Sequence, residues 1–174
     1  MKGWIQTQTG KFDFEEMGPI KLLDIVHSLS MLCRFNGYTN SFYSVAQHCM
    51  VMAENAIGAD LKRFCLLHDA AEAYIGDIPA PLKKNLPTIE EYELKLLAKI
   101  YKKYIHRLPT KEEQECIYAL DQRLLATEVR DLFDEPYDNW TDDLVEFRKN
   151  IIPKRDVELI YIKRLKEAGF DITT

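Results

Sequence analysis

Imidazole and carboxylate side chains cluster in one short segment, residues 64–77 of the 174-residue chain. His68 and Glu72 are four residues apart, so on a helix they lie on one face, with Asp69 beside them. The surrounding residues are mostly apolar, and charged groups next to an apolar face are costly to remove from water unless a partner compensates them. This arrangement favours a bound ligand, and a metal ion suits these groups best.

Two further candidate ligands, His48 and Asp121, lie on other predicted helices. A carboxylate on an apolar helical face is rarely left unpaired, and a metal ion would compensate its burial. Asp121 lies on such a face, formed by Ile117, Leu120, Leu124 and Leu125. Imidazole and carboxylate ligands suit divalent ions such as Zn²⁺, Co²⁺, Mn²⁺, Fe²⁺ or Mg²⁺, and the sequence leaves that choice open. The four candidate ligands are therefore His48, His68, Asp69 and Asp121.

A single predicted helix must position the central segment. Asp60 occupies the place of an N-cap and Gly76 that of a C-terminal cap. Between these two residues, apolar side chains recur at helical spacing, at Leu61, Phe64, Leu67 and Ala71. Residues 77–81 cannot continue this helix, because their two prolines lack the backbone donor.

The other predicted elements are helices, apart from residues 3–14, which alternate loosely and predict a short hairpin or an extended arm. Capping boxes at Thr88 and Thr110 predict two long helices, the first of which runs to about residue 106. The remaining helices are predicted over residues 19–32, from Ser41 or Ser44 to 57, from about 140, and over 156–168. The fold class is therefore all-α, a helical bundle that leaves room for one small N-terminal β-hairpin.

Length and composition predict one domain over residues 1–174, with a core over about 20–130 and C-terminal helices over 141–169. The net charge of −5 disfavours a nucleic-acid polymer or an anionic membrane as partner. A small anionic substrate remains compatible with it, since local cations and a metal outweigh net charge. We find neither a signal peptide nor an apolar run of about 20 residues, so we expect a cytoplasmic protein.

Three linked segments resemble the HD-domain phosphohydrolase superfamily, whose ligand signature is H…HD…D on separate helices. The resemblance is closest to its small deoxynucleotidase branch, which includes bacterial 5′-deoxynucleotidases and phage deoxynucleoside triphosphohydrolases, some of them specific for dATP. The opening residues 3–7 and residues 43–48 look like those of the phage-encoded members, which would place the protein in the host cytoplasm. The three segments are Ala46-Gln47-His48, His68-Asp69-Ala70-Ala71-Glu72, and Gly76-Asp77-Ile78-Pro79-Ala80-Pro81-Leu82-Lys83.

The resemblance implies roles for individual residues. It implies that the four candidate ligands hold the metal, while Glu72 and Asp77 match an acidic pair near the reacting phosphate. Arg34 matches an arginine that grips phosphate, and Lys83 is a further candidate phosphate contact. Phe35 stands where the deoxynucleotidases carry a tryptophan against the sugar, and this difference leaves the choice between deoxyribose and ribose open.

The implied function is hydrolysis of a deoxynucleotide, either a triphosphate or a 5′-monophosphate, with the dATP or dAMP type favoured. Two alternatives stay open: hydrolysis of a signalling nucleotide, such as an alarmone or a cyclic dinucleotide, and a non-catalytic HD scaffold. Glu128 lies seven residues after Asp121 on the same face, where it could orient a ligand or form a salt bridge. We also expect a homo-oligomer, because apolar side chains of the predicted helix over 88–106 cover more than one stripe, at Tyr92, Leu96, Leu97, Ile100, Tyr101 and Tyr104.

Overall fold

The computed structural model describes residues 3–134 and 153–173, and these form a mainly helical bundle with a two-stranded hairpin. The hairpin pairs β1 (Trp4–Gln6) with β2 (Lys11–Asp13) in antiparallel fashion. The helices are α1 (Leu22–Met31), α2 (Val45–Asn55), α3 (Ala59–Leu66), α4 (Glu72–Ile75), α5 (Ala80–Lys83), α6 (Pro87–Tyr104), α7 (Lys111–Leu132) and α8 (Lys154–Glu167). The predicted all-α class with one small hairpin is therefore confirmed.

Helix α2 is the centre of the bundle. It contacts α1, α3, α7 and α8, and every residue from Val45 to Ala53 is buried. Its first turn is fixed by a capping box, in which the Gln47 amide donates to Ser44 Oγ and the Ser44 amide donates to Gln47 Oε1. A polar side chain carried by this helix must therefore find its partners inside the protein.

The sequence predicted one continuous helix over residues 60–76. This prediction is wrong because the helix is interrupted, but its predicted end at Gly76 is confirmed. Helix α3 begins after Gly58 and stops at Leu66, and residues 67–71 form turns before α4 begins at Glu72. In these turns the amides of Leu67, His68 and Ala70 bond three residues back, as from Ala70 to the Leu67 carbonyl at 3.1 Å. Turns of this kind are wound more tightly than an α-helix and are common where a helix ends.

The start of α6 also differs from the prediction. The helix begins at Pro87, so Thr88 lies in its first turn and is not its N-cap. Proline favours the first helical position because its φ suits a helix and its missing N–H has no helical partner there. The second predicted capping box, from Thr110 to Glu113, is confirmed, with both of its hydrogen bonds in place.

The last described helix, α8, packs on α1 and α2, and its buried face carries Val157, Tyr161 and Leu165. The helix predicted to begin near residue 140 lies outside the described residues, so the proposed division into a core and C-terminal helices stays a prediction. None of the helices over residues 3–134 and 153–173 is long and apolar enough to cross a membrane.

One contact of α8 supports the end of α3. The buried Tyr161 hydroxyl donates a hydrogen bond to the Leu66 carbonyl, just before the turns that carry the candidate ligands. Tyr161→Phe keeps the ring but leaves this carbonyl without its donor, so we expect a loss of about 1–3 kcal/mol in the free energy of unfolding. Denaturant unfolding measures it, with the exposed Tyr118→Phe as control. Equal stability of both variants would contradict the prediction.

Candidate metal centre and substrate cavity

His48 lies on the buried face of α2 with none of its side chain exposed. Its Nδ1 is 2.8 Å from Glu128 Oε1 on α7. Burial raises the pKa of Glu128, but His48 and Arg34 outweigh it and hold that pKa below its usual value. An ionised carboxylate can only accept, so Nδ1 of His48 carries the hydrogen and Nε2 points to the opposite side.

The other candidate ligands surround this Nε2 atom. It lies 3.2 Å from Asp121 Oδ1 and 3.7 Å from Asp69 Oδ2. His68 Nδ1 is 3.0 Å from Asp69 Oδ1, and the two imidazole ring centroids are 5.3 Å apart. Ligand atoms of His48, His68 and Asp69 all lie within 4.8 Å of one another. The structure thus brings together four residues from α2, the turns after α3, and α7.

This cluster suits a divalent cation. Within the described ranges, the buried Nε2 of His48 has no hydrogen-bond partner, although two carboxylates stand beside it. Burial raises the pKa of Asp69, but His68, His48 and Arg34 outweigh it and hold that pKa well below its usual range. The Nε2 atom of His48 and the negatively charged carboxylate of Asp69 therefore face the same space. Imidazole and carboxylate groups together are a donor set for divalent metals.

The same negative charge acts on the protonation of His48. Burial and Arg34 lower its pKa, yet Glu128 and the nearby carboxylate of Asp121 overcome them and raise it to about 9. The surroundings of Nε2 therefore favour positive charge there, which either a proton or a metal ion can supply. Metal binding at such a nitrogen displaces the proton.

A cavity of about 460 Å³ opens beside the cluster. Three of the candidate ligands, all except the buried His48, line it. The other residues predicted to bind or transform substrate line it as well: Arg34, Phe35, Glu72, Asp77 and Lys83. The structure therefore places every predicted site residue at the cavity or directly behind it, while their roles stay predictions.

Glu72 and Asp77 are the acidic groups of this cavity. Burial raises the pKa of Glu72 well above its usual value, and the negative charges of Asp69 and Asp77 raise it further. Burial also raises the pKa of Asp77. Lys83 Nζ lies 3.8 Å from Glu72 and 2.7 Å from Glu93, a partner that the sequence analysis missed. Burial and the neighbouring carboxylates therefore favour the protonated form of Glu72.

Arg34 contacts both a candidate ligand of the metal cluster and Glu128 of α7. Its Nη1 is 3.5 Å from Asp69 Oδ2 and its Nη2 is 3.1 Å from Glu128 Oε2. The next two residues, Phe35 and Asn36, have left-handed backbones with φ of 53° and 51°. Such conformations are uncommon for bulky residues and are found where the surrounding structure enforces them, often at functional sites. This turn carries both Arg34 and Phe35, whose side chains line the cavity.

Four cavity residues on or just after α7 were not predicted as site residues: Gln122, Leu125, Val129 and Phe133. Leu125 was expected to face the core. Leu125 and Val129 follow Asp121 by four and eight residues, so their place on its face of α7 could have been inferred from Asp121. Phe133 packs edge-to-face on Phe35, with ring centroids 5.3 Å apart at 87°. No local pattern signals this contact, because 98 positions separate the two residues.

Comparison with known proteins agrees with this geometry. The HD domain family model matches residues 41–150. The Escherichia coli K12 protein YfdR is 43% identical over 132 residues, which cover 74% of this chain and 72% of YfdR. A Rhodobacter capsulatus protein is 38% identical over 72 residues, 37% of each chain, and both relatives are named as uncharacterised. The chain therefore belongs to the HD-domain family, and this domain implies a metal-dependent phosphohydrolase.

Proposed function

We propose that this protein is a divalent-metal-dependent phosphohydrolase that acts on deoxynucleotides, either triphosphates or 5′-monophosphates, with the dATP or dAMP type favoured. The observation that carries the proposal is the cavity, where candidate metal ligands, the cations Arg34 and Lys83, and the Phe35–Phe133 pair share one space. Its volume of about 460 Å³ lies within the range of small-molecule sites. The likeness of three sequence segments to the small deoxynucleotidases supports the choice of substrate.

A divalent ion, Arg34 and Lys83 would each contribute positive charge to phosphate binding. A divalent ion in such a site polarises a phosphoryl oxygen and makes water a better nucleophile near neutral pH. Arg34 is held by Glu128 and Asp69, so its guanidinium is oriented before substrate binds. Lys83 lines the same cavity, where Glu72 and Glu93 hold its ammonium group. Both cations offset negative charge on the phosphate as the reaction proceeds.

Glu72 is the proposed proton-transfer residue. Its pKa is raised well above the usual range, first because of burial and then because of Asp69 and Asp77, and this favours its protonated form. A protonated carboxyl in the cavity can donate to the leaving oxygen, which is general acid catalysis. Asp77 lines the same cavity and its pKa is also raised by burial, so it is the second candidate for proton transfer.

A nucleotide screen tests the proposed function. We expect metal-loaded protein to release phosphate, or an inorganic polyphosphate, from deoxynucleotides faster than from ribonucleotides, alarmones or cyclic dinucleotides. Each nucleotide is assayed with Mn²⁺, Co²⁺, Zn²⁺ and Mg²⁺, and product chromatography shows which bond is cleaved. Preferred cleavage of an alarmone or a cyclic dinucleotide would replace the substrate class, and inactivity on all of them would favour a non-catalytic scaffold.

Arg34 gives a prediction about binding. Arg34→Ala removes charge-assisted hydrogen bonds, each worth about 1.5–3 kcal/mol, so we expect affinity for a deoxynucleotide to fall about tenfold or more. Affinity for the matching nucleoside should change little, because it carries no phosphate. Titration calorimetry compares the two ligands, with the exposed Arg155→Ala on α8 as control. Equal losses for nucleotide and nucleoside would make Arg34 a structural residue.

We also propose a homo-oligomer, although less apolar surface is available for the contact than the sequence suggested. Within the chain, Tyr92 and Leu97 are half-buried and the other four stripe residues are buried, so little of that apolar surface remains for a second copy. Exposed large apolar residues on or next to α6 and α7 include Leu86, Leu94, Leu108 and Tyr118. Light scattering at micromolar concentration tests this, and a mass near 20.3 kDa would contradict it.

A further inference from the structure

One carboxylate connects the candidate metal centre to the candidate phosphate site. Glu128 on α7 is fully buried, and its two oxygens face different functional groups. Oε1 lies 2.8 Å from Nδ1 of His48, and Oε2 lies 3.1 Å from Nη2 of Arg34. The H…HD…D signature contains no glutamate at this place, and the cavity wall does not include it.

We propose that Glu128 is a positioning residue that orients His48 toward the metal and Arg34 toward the phosphate. It touches neither the metal nor the substrate, and it acts through these two side chains. The proposal rests on the metal centre of the proposed function and does not depend on which nucleotide is the substrate.

The first part of the argument concerns the imidazole. A histidine ligand presents one ring nitrogen to the metal, and the hydrogen bond made by the other nitrogen decides which one is free. Glu128 accepts from Nδ1 of His48, so Nε2 keeps its lone pair on the side of Asp69 and Asp121. Losing such an outer partner commonly costs about 10–100-fold in metal affinity.

The second part concerns the guanidinium. Arg34 Nη1 is already 3.5 Å from Asp69 Oδ2, so this cation stands beside a candidate metal ligand. Without Glu128, Arg34 would be free to move closer to Asp69, where its charge would oppose a divalent cation. Glu128 both holds the guanidinium back and offsets its charge.

The experiment separates the two contacts. Glu128→Ala removes both, whereas Glu128→Gln keeps a carbonyl acceptor for His48 but loses the charge that faces Arg34. The control is Glu115→Gln, an exposed glutamate of α7 that lies 3.9 Å from Lys111. Calorimetry measures binding of Mn²⁺ alone, then binding of inorganic phosphate to Mn²⁺-saturated protein. Neither readout requires turnover, so a failed nucleotide screen would leave this test intact.

We expect Glu128→Ala to weaken Mn²⁺ binding by about 10–100-fold. Glu128→Gln should weaken it less, and both variants should weaken phosphate binding. Glu128→Asp should recover part of the Mn²⁺ affinity that the alanine variant loses. Unchanged Mn²⁺ and phosphate affinities in a folded variant would overturn the proposal. Loss of the fold in both the alanine and glutamine variants, seen by circular dichroism, would show a structural role and overturn it equally.

Discussion

Asp69→Ala is expected to remove the bound divalent ion and to abolish hydrolysis, because it deletes the carboxylate at the centre of the cluster. Asp69 reaches His48, His68 and Arg34 at distances of 3.7, 3.0 and 3.5 Å. Without it, the imidazoles and Asp121 no longer enclose one point, and a site with fewer ligands holds a divalent ion less tightly. His68→Ala and Asp121→Ala should have the same two effects.

Metal content and turnover must be measured on the same protein samples. Each variant is dialysed against trace metal and analysed by atomic emission, and phosphate release is followed with the preferred nucleotide. Asp60→Ala is a matched control, since this exposed aspartate pairs with Arg107 at 2.8 Å. Full metal occupancy in all three variants would refute the ligand assignment, even if turnover were lost.

The sequence predicted which residues meet at the site but not how the chain brings them there. His68, Asp69 and Glu72 were expected on one continuous helix, yet the helix stops at Leu66 and resumes at Glu72. Apolar spacing cannot separate these cases, since a run of three-residue turns keeps nearly the same spacing as a helix. The motif was recognisable because ligand chemistry constrains residue type more strongly than backbone path.

Long-range partners were the part that local patterns could not predict. Glu93 pairs with Lys83, and Phe133 packs on Phe35, through contacts that depend on the packing of whole helices. Glu128 was placed on the correct face by its spacing from Asp121, but its partners His48 and Arg34 lie on other elements. Helical periodicity indicates which side of a helix faces inward, while the identity of the neighbour requires the tertiary structure.

The second large effect is expected at Glu72. Glu72→Gln keeps the size of the side chain but can neither give nor take a proton. We expect turnover to fall by about 10²–10⁴, the usual contribution of general acid–base catalysis. Metal content should stay unchanged, because Glu72 is not a proposed ligand. Single-turnover measurements on Mn²⁺-loaded protein would separate slower chemistry from weaker substrate binding.

The control for Glu72 must account for Lys83, because Glu72 lies 3.8 Å from that ammonium group. Glu93→Gln disturbs the same lysine through its 2.7 Å contact but leaves the acid of the cavity in place. If Glu72 acts by proton transfer, its variant loses far more turnover than the Glu93 variant does. Equal losses would mean that Glu72 serves to hold Lys83. A fully active Glu72→Gln enzyme would instead assign the proton transfer to Asp77 or to water, because no proton can pass through the amide.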